Sequence, residues 1–494
     1  MTLDHTGADA DETAADVEAS PLRALWAARS VAVVGASDKP GSLGRLPVEF
    51  LQRFGYAGDI VPVRPDGATV CGVPSVARLT DHAGPIDLAM IMVAATRVPG
   101  AIADCAAAGV PVALVCTSGF AETGEEGAEL QSEVVAAARA GQQVVRIVGP
   151  NCIGSVGVGT GQVSSFSPLF SGVDTTLVPG GIGFVSQSGA LGYGAVSLAF
   201  ERGLGLGWVV NTGNEADVSA TEVMNALAEE PECIGILAYA ESLTDLPGLR
   251  RLAATGLPVA ILKAGRSAAG AKAAASHTGA LAAGDKVVDA ALRQLGIVRA
   301  DDVTDLLDIG EVMGLVPRHA RAADGIEAGA GGRVAVVTTS GGSGILAADA
   351  LEAHGLSLAA LRPETTAALD EIVPAFGSTA NPVDVTASVM SNSSLFDRTL
   401  EAIAADPGVD VILAAFCVLT GKDVDDVVTS LSRVARSSGK PVVVVRTGAD
   451  HLAPQATALM RAAGIPSYPT PARAVRAVAA LTRFTARRQS VSPQ

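Results

Sequence analysis

Short runs of Val, Ile, Ala and Leu recur along this chain, each closed by small polar residues. In the first third they are SVAVV ahead of GAS at 35–37, DIVPV at 59–63, IDLAMIMV at 86–93, PVALVC at 111–116 and VVRIV at 144–148. They are continuous rather than alternating, which is how strands covered on both faces read. Between them apolar positions fall at helical spacing, as from Leu46 onward. Strands alternating with helices predict a parallel, doubly wound sheet. A second series follows at 182–190, 206–218, 235–242 and 258–267, and a third at 334–351, 410–416 and 441–446. The stretch 317–332 is polar, Ala- and Gly-rich and unpatterned, and reads as a linker. Residues 1–21 are acidic, with neither a basic region nor an apolar segment, and read as a disordered tail, not a signal peptide. The expectation is an α/β protein of three units, over 22–150, 151–316 and 333–486.

Composition narrows this picture. A chain of 494 residues is too long for one core. Aromatic residues make up only 3% while Ala, Val and Gly dominate, which suits tightly packed α/β layers. A net charge of −16 argues against an extended nucleic-acid footprint but leaves room for a local anion pocket. Cys71, Cys105, Cys116, Cys152, Cys233 and Cys417 are scattered without a CxxC, the pattern of reduced thiols in a cytoplasm rather than of disulfides or a metal site. The longest apolar runs, 88–95 and 411–418, are too short to span a bilayer.

Candidate chemistry lies in the turns that close the strands. Gly35-Ala36-Ser37, Arg64-Pro65, Thr117-Ser118-Gly119 and Gly149-Pro150-Asn151-Cys152 would all gather at the carboxyl edge of the first sheet, where open α/β sheets bind ligands. Each alone is also an ordinary βα turn. The glycines after the first strand do not match G-x-G-x-x-G, so a nicotinamide dehydrogenase is disfavoured. Cys152 has no neighbouring histidine to activate it and reads better as a buried thiol. Ser186-Gln187-Ser188-Gly189 and Gly341-Gly342-Ser343-Gly344 each sit where a strand gives way to a helix, and backbone N–H groups there can hold an anion. Within AGRSAAGAKAAASHTGALAAG at 264–284, His277 is the one imidazole nucleophile in a small-residue stretch. One reading is a pliant loop carrying a phosphohistidine; the other is an Ala-rich surface helix with an incidental histidine. Neutral imidazole attacks phosphorus near neutral pH, and the N–P bond stays energetic enough to pass the group on. Glu241, at the end of a strand, could orient the ring through its second nitrogen.

Taken together, GASDKPGSLG, TSGFAE, GPNC, SQSGA, GNEADV and AAASHTGALAAGD resemble the NDP-forming acyl-CoA synthetases, relatives of succinyl-CoA synthetase, over residues 25 to 485. The resemblance implies a Rossmann-like coenzyme A domain followed by two flavodoxin-like domains. It implies that Gly35, Ala36, Ser37, Lys39, Ser42, Arg64, Thr117, Ser118, Gly119, Asn151 and Cys152 serve coenzyme A. Arg64 departs from the asparagine common there, which leaves its role open. The resemblance further makes His277 the phosphohistidine, Glu241 its orienting carboxylate, and the Ser186–Gly189 and Gly341–Gly344 turns the phosphate sites. No segment supplies an ATP-grasp module or a Walker A loop. The implied protein is therefore an α-type subunit converting a small carboxylic acid, with ATP/ADP and Mg²⁺ held by a separate ATP-grasp subunit in a cytoplasmic oligomer. A coenzyme A- or acyl-CoA-binding regulatory protein without ligase activity is the alternative.

Overall fold

The computed structural model describes residues 20–141, 143–278, 284–316, 332–386, 393–421 and 423–491, with only the backbone described over 274–278 and at 393. Most of the expected tail and linker, and the stretch 279–283, lie outside these residues. Pro21, read with the tail, instead opens a 3₁₀ turn over Pro21–Arg23.

The described residues form three sheets. The first contains β1 (Ser30–Val34), β2 (Asp59–Val63), β3 (Leu88–Ile91), β4 (Val112–Val115) and β5 (Arg146–Val148) in the order β2-β1-β3-β4-β5. The second contains β6 (Gly154–Gly157), β7 (Gln162–Ser165), β8 (Pro179–Ser186), β9 (Leu206–Asn211), β10 (Gly235–Ala240), β11 (Val259–Lys263) and β12 (Val298–Ala300), ordered β12-β11-β10-β8-β9-β6-β7. The third contains β13 (Arg333–Thr338), β14 (Ser357–Leu358), β15 (Val383–Asp384), β16 (Val411–Cys417), β17 (Val442–Thr447) and β18 (Ser467–Tyr468), ordered β14-β13-β16-β17-β18 with β15 also on β13. All three share one winding: the first strand lies beside the second on one side and the third on the other. Each sheet therefore has a switch point between those strands, at β1/β3, β8/β10 and β13/β16, where the crossover helices leave in opposite directions and open a crevice.

Two features depart from the expected pattern. β6 and β7 pair antiparallel with each other, and β6 runs antiparallel to β9. Their polar sequences, GSVG and QVSS, carry no apolar signal, yet they are buried. They can be buried because their polar groups find partners: Ser155 Oγ donates to Leu25 O at 2.7 Å, and Gln162 accepts from Ala28 N at 2.8 Å and donates to Ala24 O at 2.9 Å. NPVDV at 381–385, whose Asn-Pro is a turn signal, contains β15, which pairs parallel with β13.

The second and third units share one apolar core. The terminal helix Pro471–Val491 returns across the second unit and packs on the helix Val303–Val312. Buried Asp308 accepts from Arg473 Nε and Nη2, each at 2.6 Å, and from Arg202 Nη1 at 2.9 Å, and Tyr468 Oη donates to Asp308 O at 2.9 Å. No described helix is long and apolar enough to cross a membrane.

Candidate active site

At the β1/β3 crevice the chain after β1 folds back on itself. Gly35 has φ +91°, and a Cβ there would lie 2.7 Å from Met92 O, so only glycine fits the turn. The Asp38 carboxylate accepts from Cys71 N at 2.9 Å and Arg45 Nη1 at 2.6 Å, which hold its pKa below the usual range. Lys39 is exposed above this turn. Ser42 Oγ is buried with no hydrogen-bond partner among the described residues, an orphaned donor of the kind a phosphate oxygen satisfies. These features fit a phosphorylated ligand at the crevice. Other expected contacts are already committed: Arg64 binds Asp66 in a fork at 2.5 and 2.6 Å, and Thr117 Oγ1 donates to Val93 O at 2.6 Å. Ala36 and Cys152 are buried. The Cys152 thiol points to Val115 O at 3.2 Å, and burial raises its pKa well above the ordinary thiol value, so it is no nucleophile. Its side chain does not line the crevice.

At the β8/β10 switch point Gln187 is the hub. Its Oε1 accepts from Glu241 N at 2.6 Å and Ser242 N at 2.9 Å, while its Nε2 donates to Glu215 Oε1 and Ser242 O, both at 3.0 Å. The turn carrying Glu241 is thus fastened to the turn that starts the helix Gly189–Glu201. Tyr239 Oη donates to Glu241 Oε1 at 3.4 Å. The Ser188 side chain makes no capping hydrogen bond, which leaves the first N–H groups of that helix open to an anion. Ser186 is different from the expectation: it is buried and its hydroxyl donates to Ser188 O at 2.6 Å, so it shapes the turn from below. Lys263, one strand over, is buried, and burial lowers its pKa.

Glu215 and Asn214 of GNEADV are site residues whose roles lie in contacts with other turns. Glu215 has φ +57° and takes hydrogen bonds from Thr212 Oγ1 and Ala220 N, both at 2.8 Å. Burial nevertheless raises its pKa. Asn214 donates to Glu122 Oε2 at 2.5 Å and to Gln131 Oε1 at 3.1 Å, and accepts from Asn151 Nδ2 at 3.3 Å. Glu122 in turn receives Gly119 N at 2.6 Å and Phe120 N at 3.2 Å. The TSGFAE, GPNC and GNEADV turns therefore lock the first sheet to the second. Where they meet lies a cavity of about 150 Å³, walled by Glu122, Asn151, Gln187, Glu215, Glu241 and Ser242 among others.

The segment read as a loop at 264–284 is α-helical over Ala268–Thr278, with Gly270 N donating to Ser267 Oγ at 3.0 Å at its start. Alanine has the highest helix propensity, and in AAGAKAAASHT it prevails over the single glycine, Gly270. This corrects the loop reading for the residues up to Thr278. The helix lies against the Ala121–Thr123 turn, which carries Glu122, so its backbone places His277 on an element beside the cavity. The Gly341–Gly344 turn begins the helix Gly341–Ala353 at the β13/β16 switch point. Its Ser340 also makes no side-chain cap, and Ser343 Oγ is buried without a partner among the described residues. No hydrogen bond among the described residues joins this turn to Gln187 or Glu241.

Three family models match in chain order: a CoA binding domain over 29–157, a succinyl-CoA ligase like flavodoxin domain over 179–313 and a ligase-CoA domain over 334–491. The α subunit of ADP-forming acetate–CoA ligase I from Pyrococcus furiosus is 34% identical over 94% of this chain and 98% of its own length. The chain belongs to the ADP-forming acyl-CoA synthetases. It corresponds to their α subunits, and its match covers 64% of the acetate–CoA ligase I of Archaeoglobus fulgidus at 33% identity. An acetyl-coenzyme A synthetase of Ca. Korarchaeum cryptofilum, solved with phosphate and ADP, superposes with a TM-score of 0.84 at 29% identity, covering 95% of this chain and 98% of that one. Within the synthetase fold, the first unit is the CoA-binding domain and the Gln187–Glu241 crevice belongs to the flavodoxin-like domain.

Proposed function

We propose that this chain is the phosphohistidine-bearing, CoA-binding subunit of an enzyme that joins a small carboxylic acid to coenzyme A, with ATP converted to ADP and phosphate. The observation that carries this reading is the Gln187 hub: it holds the Glu241 turn beside an uncapped helix N-terminus, next to the helix that bears His277. An imidazole nitrogen of His277 takes the γ-phosphoryl group of ATP, and ADP leaves. The N–P bond then breaks as a carboxylate oxygen of the substrate takes the phosphoryl group, giving an acyl phosphate and restoring the imidazole. Attack of the CoA thiolate on the acyl carbon expels phosphate and forms the thioester. Glu241 accepts the N–H of the non-reacting ring nitrogen and stabilises the cationic ring during transfer. The N–H groups of Gly189 and its neighbours stabilise the dianion without fixed cations, which keeps transfer reversible. Gly341–Gly344 plays the same part toward the second phosphate position.

Ser42, Lys39 and the N–H groups after Gly35 hold the phosphates of coenzyme A. The 150 Å³ cavity favours a small acid. Nucleotide and Mg²⁺ are assigned to a separate ATP-grasp subunit, in keeping with the Pyrococcus furiosus relative, itself an α subunit that this chain matches over 98% of its length. The test combines the chain with a candidate ATP-grasp subunit, ATP labelled at the γ-phosphate and Mg²⁺. Acid-labile, base-stable label is expected on the wild type and absent from His277→Asn. Equal labelling and turnover in that variant would end the proposal.

A further inference from the structure

The amino-terminal edges of the second and third sheets enclose another cavity, of about 280 Å³, remote from the carboxyl-edge turns described above. The second unit contributes the start of β8, the Arg202–Gly205 turn and the end of the Val303–Val312 helix; the third contributes Thr457, Arg461 and the Gly464–Ser467 approach to β18. Ile182, Leu204, Ile234, Leu315 and Ile465 form an apolar wall.

Two opposite charges face this wall without meeting each other. Glu311 takes no hydrogen bond or ion pair among the described residues. Its neighbours Arg202 and Arg473 are both committed to Asp308. Burial and the nearby Asp308 charge push the Glu311 pKa up to about 7. Arg461 reaches over from the third unit and lies against the bare Cα of Gly203, where a Cβ would come within 2.3 Å of its Nη1. Gly203 has φ +68°, so glycine is required there twice over. No ion pair within 4.0 Å joins Arg461 to Glu311, although its charge acts on that carboxyl. A carboxylate and a guanidinium held apart beside an apolar wall complement a zwitterion that carries an apolar side chain.

We propose that this cavity binds a free, apolar α-amino acid: its ammonium group on Glu311, its carboxylate on Arg461 and its side chain against Ile182, Leu204 and Ile465. The occupant would clamp the second unit to the third. The helix Gly189–Glu201 begins at the phosphate turn and ends beside Arg202 and Gly203 in this cavity, so occupancy is expected to be felt at the catalytic end.

Titration calorimetry on the full chain at neutral pH, with L-leucine, L-valine and L-phenylalanine as probes, tests the assignment without relying on catalysis. At least one is expected to bind at micromolar to millimolar concentration. The leucine analogues 4-methylpentanoate and isoamylamine, which each lack one charge, should bind at least about tenfold more weakly. Glu311→Gln, which preserves volume, and Arg461→Met should each weaken binding by a similar factor. Gly314→Leu should abolish it by filling space, since a Cβ at Gly314 meets nothing within 4 Å. Circular dichroism and the thermal midpoint of each variant report that it is folded. No heat with any of the three amino acids would overturn the proposal. So would 4-methylpentanoate binding as tightly as leucine, or unchanged binding in folded Glu311→Gln and Gly314→Leu.

Discussion

Gln187 does more at the β8/β10 crevice than any charged residue, because one amide satisfies four polar groups at once: two N–H donors, a carboxylate and a carbonyl. Replacing it with methionine keeps the volume and orphans those groups. The expected result is a loss of about 2 kcal/mol in stability and a fall of about a hundredfold in kcat as Glu241 drifts. Urea unfolding and steady-state rates separate the two effects. Glu311→Gln should instead change a pH profile. The folded-state pKa of Glu311, about 7, lies above the ordinary 4.5. Its contribution to stability is therefore full below pH 4.5 and is lost as pH rises through 7. Over that window the wild type should lose up to about 3 kcal/mol relative to the variant. Asp308, Arg202, Arg461 and Arg473 are the charged groups acting on Glu311. Parallel profiles for the two proteins would refute the assignment. At this scale the sequence revealed residue types and their turns, and Glu241 and Gln187 were both legible because each closes an apolar run. Glu215 and Asn214 were not, since their partners Ala220, Glu122 and Gln131 come from other elements. Ser186 looks like a site residue in a string of letters, but burial turns it inward, whereas Cys152 is the buried thiol that its lack of a neighbouring histidine suggested.

Strands were the most legible elements, because sheets covered on both faces need unbroken apolar runs. The β6–β7 hairpin escaped notice for the opposite reason: its burial rests on hydroxyl and amide hydrogen bonds to Leu25, Ala24 and Ala28, which no periodicity records. The Ala268–Thr278 helix shows a local conflict, in which alanine propensity outweighs Gly270 and the small-residue composition that suggested a loop. The turn after β1 is the element most sensitive to a single atom. Gly35→Ala should cost about 1–3 kcal/mol, because it forces both an unfavourable φ and a close approach to Met92 O. It should also weaken coenzyme A binding, measured by calorimetry, while the labelling of His277 by ATP persists.

Across the whole molecule, one winding is used three times and the copies are joined by polar locks rather than by linkers alone. Asp308 is the lock between the second and third units, and Arg473→Met leaves it buried with a single guanidinium. The third unit should then loosen from the second, with a stability loss of about 2–3 kcal/mol and earlier proteolysis at the interface; an unchanged thermal midpoint would count against this lock. By itself the sequence determined the α/β class, the three strand–helix series and the turns that carry chemistry, because apolar runs and Gly-bearing turns are local consequences of burial and backbone geometry. Only the tertiary structure decided which turns meet. Asn214 reaches Glu122 and Asn151, and Arg461 reaches Gly203, because the packing of one sheet on the next sets those distances, and residues far apart in the chain leave no mark on each other's local pattern.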